Sequence, residues 1–219
     1  MKRKRLHAVI FGPQGSGKGT QGRLLAERYD VSLIGSGDLF REEIEVGGML
    51  GELSQAYVSR GMLAPDELVN AIIQKRLQEI AMDRGFLLDG YPRNVEQATS
   101  LDRLIKINLA IQMKMSDAEA VRRIQGRWQC LDCRSVYHTQ DAPPFRHGRC
   151  TLCGQKLSRR EDDHEEPIRL RLAAYHFMTE PLASYYRQRG ALLAVNAEQS
   201  AVMLFAELTR KMTRLGFVC

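Results

Sequence analysis

Two groups of residues in this chain have the types and spacing to do chemistry. The first is Gly12-Pro13-Gln14-Gly15-Ser16-Gly17-Lys18-Gly19-Thr20. Glycines at this density let successive backbone N–H groups turn toward one anion. Lys18 adds a positive charge on a long stem and Thr20 adds a hydroxyl. The run fits G-x-x-x-x-G-K, with Gly19 where Ser or Thr is usual and Thr20 one place later. A ligand-free glycine turn needs no particular flanks. A phosphate-binding loop needs a strand before it and a helix N-terminus after it. Here the apolar run Leu6–Phe11 precedes the loop and reads as a strand buried on both faces, and helical spacing follows over 18–29. Asp89 closes the apolar run Phe86-Leu87-Leu88 and is the matching carboxylate, placed to hold Mg²⁺ through water. Taken alone, an Asp at that place is equally a turn residue.

The second group is Cys130-x2-Cys133-x16-Cys150-x2-Cys153, which puts four of the five cysteines within 24 residues. Paired C-x-x-C knuckles at this separation are the pattern of a structural Zn²⁺ site. Four thiolates fill a tetrahedron and leave no open position, so the metal's role is structural. Fe or Co would also suit four thiolates. His138 and His147 are close enough in sequence to stand in for one Cys. A disulfide pair is the competing reading, and the absence of a secretion-type leader argues against it. Cys219 lies outside the pattern and reads as a free terminal thiol.

These groups need a scaffold, and composition sets its type. The chain has 219 residues, 44% of them hydrophobic and 26% charged, which is ordinary for a globular protein. Net charge is +6, and most of the excess lies in the opening run Lys2-Arg3-Lys4-Arg5. Such a run reads as a solvated tail. No apolar stretch approaches the roughly 18 residues that would span a bilayer, so the expectation is a soluble cytoplasmic protein.

Strand-like runs recur at 31–34, 86–88, 107–113 and 191–195, with helical stretches between them. Pro65-Asp66-Glu67 opens a helix, with acids near the positive end of its dipole and an apolar stripe through Ile72, Ile73 and Leu77. Further helices are expected over 167–189 and 201–215. Strands alternating with helices predict a parallel sheet covered on both faces. Two segments break the alternation. Residues 36–64 read as short helical pieces interrupted by Gly47, Gly48, Gly51 and Gly61. Residues 127–163 hold the cysteines and Pro143-Pro144 and show little helical periodicity.

At this point an ordered set of motifs resembles the adenylate kinase family, in its long bacterial form with a metal-binding lid. The set comprises residues 12–20, Gly37-Asp38-Leu39-Phe40-Arg41, and Gly85-Phe86-Leu87-Leu88-Asp89-Gly90-Tyr91-Pro92-Arg93 with Gln97. It continues through Arg123-Ile124-Gln125-Gly126-Arg127 and Arg160-Glu161-Asp162-Asp163 to Arg169-Leu170-Arg171. The resemblance runs from about His7 to Asn196. It implies an α/β P-loop kinase core with a five-stranded parallel sheet, made of residues 1–35, 65–126 and 164–219. It also implies an AMP-binding insertion at 36–64 and a zinc-binding lid at 127–163. The implied reaction is MgATP + AMP ⇌ 2 ADP, in a monomer with no nucleic-acid or membrane partner.

The chemistry is one of charge. The nucleophile is a phosphate oxygen of AMP, already mostly dianionic near neutrality because its second pKa is ~6. No general base is needed. The obstacle is bringing a dianion to a triphosphate, which positioned cations overcome. By resemblance, Arg41 and Arg93 hold the AMP phosphate, Gln97 reads the adenine edge, and Ser36, Ala64 and Gly90 complete that site. Gly15, Ser16, Gly17, Lys18, Gly19 and Thr20 bind ATP with Arg123, Arg127 and Asn196. Arg160 and Arg171 bridge the transferring group. Asp162 and Asp163 orient the arginines and tie the lid to the core, whose closure excludes water. Arg169 reads as a surface residue. The sequence departs from the family in having Gly35-Ser36 for the usual Ser-Thr and Asn196-Ala197 for the commoner Asp-Gly. Two rival readings are another nucleoside monophosphate kinase with CMP or UMP as acceptor, and a zinc-ribbon nucleic-acid-binding protein.

Overall fold

The computed structural model describes residues 4–58, 64–80, 84–133, 135–139, 148–159 and 163–218. Arg160, Asp162, His147 and Cys219 therefore lie outside the described residues. Five strands form a parallel sheet: β1 (Leu6–Phe11), β2 (Ser32–Gly35), β3 (Gly85–Asp89), β4 (Leu109–Lys114) and β8 (Leu192–Asn196). Their order is β2-β3-β1-β4-β8. The register pairs Ile10 with Asp89, Phe11 with Gln112, Gly35 with Asp89 and Lys114 with Asn196. All five carboxyl ends therefore meet at one edge, where open α/β sheets take their ligands.

The alternation along β1 builds both halves of the core. Val9 and Phe11 face one cluster, with Phe86, Leu88, Ile72, Ile73 and Tyr186. Leu6, Ala8 and Ile10 face the other, with Leu25, Leu87, Ile111, Leu204, Leu208 and Met212. Successive strand side chains point to opposite faces, so a strand with helices on both sides has no polar face. Each such Leu, Ile or Val contributes ~1.5–3 kcal/mol by leaving water. The helices that cover the sheet include α1 (Lys18–Tyr29), α4 (Asp66–Glu79), α5 (Val95–Leu104), α8 (Leu182–Gln188) and α9 (Ala201–Arg214). Leu215, the last residue of the helix expected over 201–215, lies past its end and is 48% exposed.

The expected helix over 167–189 is instead α7 (Glu165–Ala174), a π-helical turn (Tyr175–Thr179) and α8. Pro181 explains the split, since it has no N–H to continue the ladder and its ring crowds the preceding turn. His176 ties this turn down, its ring nitrogens 2.9 Å from Asp117 and 2.8 Å from Glu180. Asp117 opens α6 (Asp117–Gln125), which packs on α7 through Ala120, Ile124, Ile168 and Leu172. Helix α6 leads into the cysteine segment and α7 leads out of it.

That segment holds a small antiparallel sheet. Its central strand β5 (Arg127–Cys130) pairs with β6 (Val136–His138) and β7 (Leu157–Ser158). The other interrupting segment holds α2 (Ser36–Val46) and α3 (Gly48–Val58). Gly47 separates them with φ 77°. Gly51 does not break a helix, contrary to the expectation above. It is buried inside α3, where a Cβ would lie 2.3 Å from the Glu43 carbonyl oxygen of α2. Glycine is there because two backbones touch. Among the described residues no helix is long and apolar enough to cross a membrane.

Gly51 supplies a test of this packing. Alanine is the better helix former by ~1 kcal/mol, so propensity alone predicts stabilisation by Gly51→Ala. The contact predicts the reverse, a loss of ~1–3 kcal/mol from overpacking. We expect a melting temperature lower by roughly 2–10 °C in calorimetry; a rise would show that the helices are not in contact.

Candidate functional site

The glycine loop leaves β1 and turns into α1. Gly17 caps α1 with φ 84° and ψ 17°, a left-handed conformation that glycine adopts without cost. The loop closes on its own lysine: Lys18 Nζ donates to the carbonyl oxygens of Gly12 and Pro13, each at 2.8 Å. Removal from water lowers Lys18 to about 8, against the pull of Asp89 in the other direction. Ser16 is fully buried, and its N–H donates to the Pro13 carbonyl at 3.3 Å.

Asp89 stands at the end of β3 under the loop. Burial pushes its carboxyl up, while Lys18 and then Arg93 pull it down. A Cβ on Gly19 would lie 3.5 Å from Asp89 Oδ2, so the position of the usual Ser or Thr does face this carboxylate. Oxygen donors of this kind suit Mg²⁺ arriving with a nucleotide.

A cavity of about 680 Å³ opens over the loop. The loop and β3 supply Gly15, Gly17, Lys18, Gly19, Thr20 and Asp89, Arg123 comes from α6 beside Gly15, and Arg127 comes from β5. Each arginine is held by a carboxylate. Arg123 Nε donates to Glu119 Oε1 at 2.6 Å, and its NH1 donates to the Ala197 carbonyl at 2.8 Å. Arg122 and then Arg123 beside Glu119 hold its carboxyl down at about 2. Arg127 makes a two-pronged bond to Asp163, at 2.9 and 2.5 Å, and this Asp is nearly inaccessible. Val136, Tyr137 and His138 of β6, with Gln199, Ser200 and Ala201 at the start of α9, complete the wall.

A second polar cluster adjoins the first at the carboxyl ends of β2 and β3. Ser36 Oγ donates to the Gly90 carbonyl at 3.1 Å, as does Arg93 Nε at 2.9 Å. Gln97 is 3% exposed and bonded at both ends of its amide: its Oε1 accepts from the Arg93 N–H and its Nε2 donates one proton to Asp66 Oδ1, each at 2.7 Å, which leaves one amide proton and one lone pair for a ligand. Asn94 caps α5 by accepting from the Gln97 N–H at 2.7 Å, and it donates to the other Asp66 oxygen. Arg41 lies at the margin, paired with Asp38 at 2.5 Å and 54% exposed. Ala64 is half-buried against the core.

Two other expected residues, Arg171 and Asn196, do not line the cavity over the loop. Arg171 Nε donates to the Pro167 carbonyl of its own helix at 3.1 Å. Asn196 lies in a neighbouring hollow of about 360 Å³ with Lys114, Ser116 and Tyr175. Arg160 and Asp162 are outside the described residues. Arg169 is 74% exposed and paired with Glu165, in keeping with a surface role.

Sequence reading missed Glu119, Asp66 and Asn94. Each left a signal: Glu119 stands three and four places before two arginines, the spacing of helical ion pairs. Asn94-x-x-Gln97 is a capping spacing. Asp66 left only its place in the first turn of a helix.

The four cysteine sulfurs converge within 4.8 Å of one another. Cys130 and Cys153 are 3.3 Å apart, and Cys133 and Cys150 are 3.4 Å apart, far beyond a bonded S–S length of ~2.05 Å. A tetrahedron with metal–sulfur bonds of ~2.3 Å has edges near ~3.8 Å, within this range, so the donor set fits zinc. His138 is not a member of the group; its Nε2 is 3.5 Å from the Arg122 carbonyl. Trp128, Tyr137 and Leu157 pack around Cys130 and Cys150.

The sequence model of the adenylate kinase family matches residues 10–191. The chain is 37% identical over 215 residues to the adenylate kinase of Syntrophomonas wolfei subsp. wolfei, covering 96% of this chain and all of the relative. It is 41% identical over 197 residues to that of Acidothermus cellulolyticus, covering 88% of this chain and 91% of the relative. Against that of Pyrococcus furiosus it is 42% identical over 196 residues, covering 87% and 88%. A nucleotide-sized cavity over a phosphate loop, and matches along nearly the whole chain, lead to one conclusion: the chain belongs to the adenylate kinase family.

Proposed function

We propose that this chain catalyses MgATP + AMP ⇌ 2 ADP, with residues 1–35, 65–126 and 164–219 as the core, 36–64 as the AMP-binding insertion and 127–163 as a zinc-bearing lid. The observation that carries the reading is the convergence of Lys18, Asp89, Arg123 and Arg127 on one cavity, beside the Ser36–Arg93–Gln97 cluster. The loop amides and Lys18 take the ATP phosphates. Arg123 takes them from α6 of the core and Arg127 from the first strand of the lid. Arg93 and Arg41 hold the AMP phosphate, with Ser36, Ala64, Gly90 and Gln97 around its nucleoside. Asn196, in the neighbouring hollow, is assigned to ATP by the motif resemblance alone.

In this reading an AMP phosphate oxygen attacks the terminal phosphorus of ATP. A new P–O bond forms as the bond to the bridging oxygen breaks, and ADP leaves carrying that oxygen. No proton has to move. Lys18, Arg93, Arg123, Arg160 and Arg171 neutralise charge on the transferring group, and Asp89 orients the magnesium of the substrate through water. Asp162 and Asp163 hold the arginines; the Arg127–Asp163 pair supports that assignment. Zinc on the four cysteines supplies cohesion, because the lid's own apolar cluster is too small to fold on burial alone.

ADP formation from ATP with AMP, CMP, UMP or GMP tests the substrate assignment. We expect AMP to be the preferred acceptor; preference for a pyrimidine would overturn it. Lys18→Ala should reduce turnover by ~10²–10³-fold. Lys18 is charged below about 8 and neutral above it, so kcat/KM for ATP should fall as pH rises through that value. A flat profile from pH 7 to 9.5 would remove Lys18 from the charge balance. Stripping the metal with a chelator should lower the melting temperature by roughly 5 °C or more, read by Trp128 fluorescence, and Zn²⁺ should restore it.

A further inference from the structure

Tyr137 occupies a place that neither the cavity nor the cysteine cluster accounts for alone. Its residue is 7% exposed and belongs to the same apolar cluster as Cys130, Cys150 and Leu157. Its hydroxyl oxygen lies 3.2 Å from Cys150 Sγ and 2.9 Å from Thr151 Oγ1. The Thr151 backbone N–H donates to that same oxygen at 3.1 Å.

Counting donors and acceptors settles where the phenolic proton goes. A tyrosine hydroxyl has one proton to give and two lone pairs to accept with. The Thr151 N–H is a fixed donor and takes one lone pair. A cysteine that ligates a metal must be a thiolate, which only accepts. The Tyr137 proton therefore points at the Cys150 sulfur, and the Thr151 hydroxyl gives its proton to the second Tyr137 lone pair. All three contacts are satisfied only in this arrangement. Tyr137 also lines the cavity over the phosphate loop, together with its strand neighbours Val136 and His138.

We propose that Tyr137 is a positioning residue that links the metal centre to the nucleotide cavity. Its hydroxyl orients and partly neutralises the Cys150 thiolate, and its strand forms the cavity wall. A nucleotide that presses on this wall shifts the hydrogen bond to sulfur, and the metal ligand field registers it. By linkage, metal and nucleotide then alter each other's affinity by the same factor. The inference rests on the reading of 127–163 as a metal-bearing cover over the ATP site.

The test uses the full chain loaded with Zn²⁺ or Co²⁺ and titrated with ATP in the absence of AMP. In Tyr137→Phe, Zn²⁺ affinity measured by chelator competition should fall ~10- to 100-fold, the usual effect of removing a partner of a metal ligand. In the Co²⁺ form of the unmodified chain, ATP should move the thiolate-to-cobalt charge-transfer band, and in Tyr137→Phe it should not. Trp128 is the chain's one tryptophan and pairs with Tyr137 across the strands, so its emission reports whether the variant lid is folded. Placing 3-fluorotyrosine at position 137 keeps the shape and strengthens the donor, and should itself move the band. Unchanged Zn²⁺ affinity in Tyr137→Phe, an equal ATP response in both chains, or a band indifferent to the fluorinated ring would overturn the proposal while leaving the lid reading intact. An unmodified chain that takes up no metal would overturn both.

Discussion

Mutual repulsion among the cations at one edge of the sheet is the constraint around which this molecule is built. Arg93 and Arg127 act on Lys18 as like charges, and Arg123 lines the same cavity; such repulsion is costly where water is excluded. Each is held by an oxygen partner of its own. Lys18 donates to two loop carbonyls, Arg93 to the Gly90 carbonyl, Arg123 to Glu119, Arg127 to Asp163 and Arg41 to Asp38. The partners, oriented on the scaffold, fix where these side chains can reach; in the proposed reading phosphate oxygens replace or join them. A parallel sheet is suited to this, because its strands deliver all their following loops to the same edge.

The same need explains why the acidic residues matter as much as the basic ones. Asp66 grips Asn94 and Gln97 with its two oxygens and so holds the turn that carries Arg93. Glu119 holds two arginines and stays ionised well into acid because of them. Loss of either would release groups that the sheet cannot restrain by itself.

The cysteine segment solves a different problem. Among its described residues the buried apolar cluster has four members, far short of a self-sufficient core. In the proposed reading, thiolates around a metal replace the missing burial; Tyr137 belongs both to the cysteine cluster and to the lining of the cavity. The two functions of the segment, cohesion and coverage, therefore share a residue.

Much of this was legible in the chain. Continuous apolar runs between helical stretches gave away a parallel sheet, because strands buried on both faces cannot alternate with polar residues. Leu6–Phe11, the glycine loop and the cysteine knuckles could be read at their true positions, since each is a local pattern whose spacing is its own evidence. Gly51 could not be read, because a close approach of α2 to α3 looks in sequence like a helix break. The partners of Arg123, Arg127 and Gln97 were divided by the same rule. Glu119 sits within one helical turn of Arg123 and was recoverable in principle. Asp163 and Asp66 come from 36 and 31 residues away; the motif resemblance pointed to Asp163 as a holder of arginines, but only folding chose Arg127 as its partner and Asp66 as that of Gln97. Sequence determines what lies within a turn or a strand, where geometry is periodic. Pairings across the fold depend on which surfaces the packed core brings together, and that is decided in three dimensions.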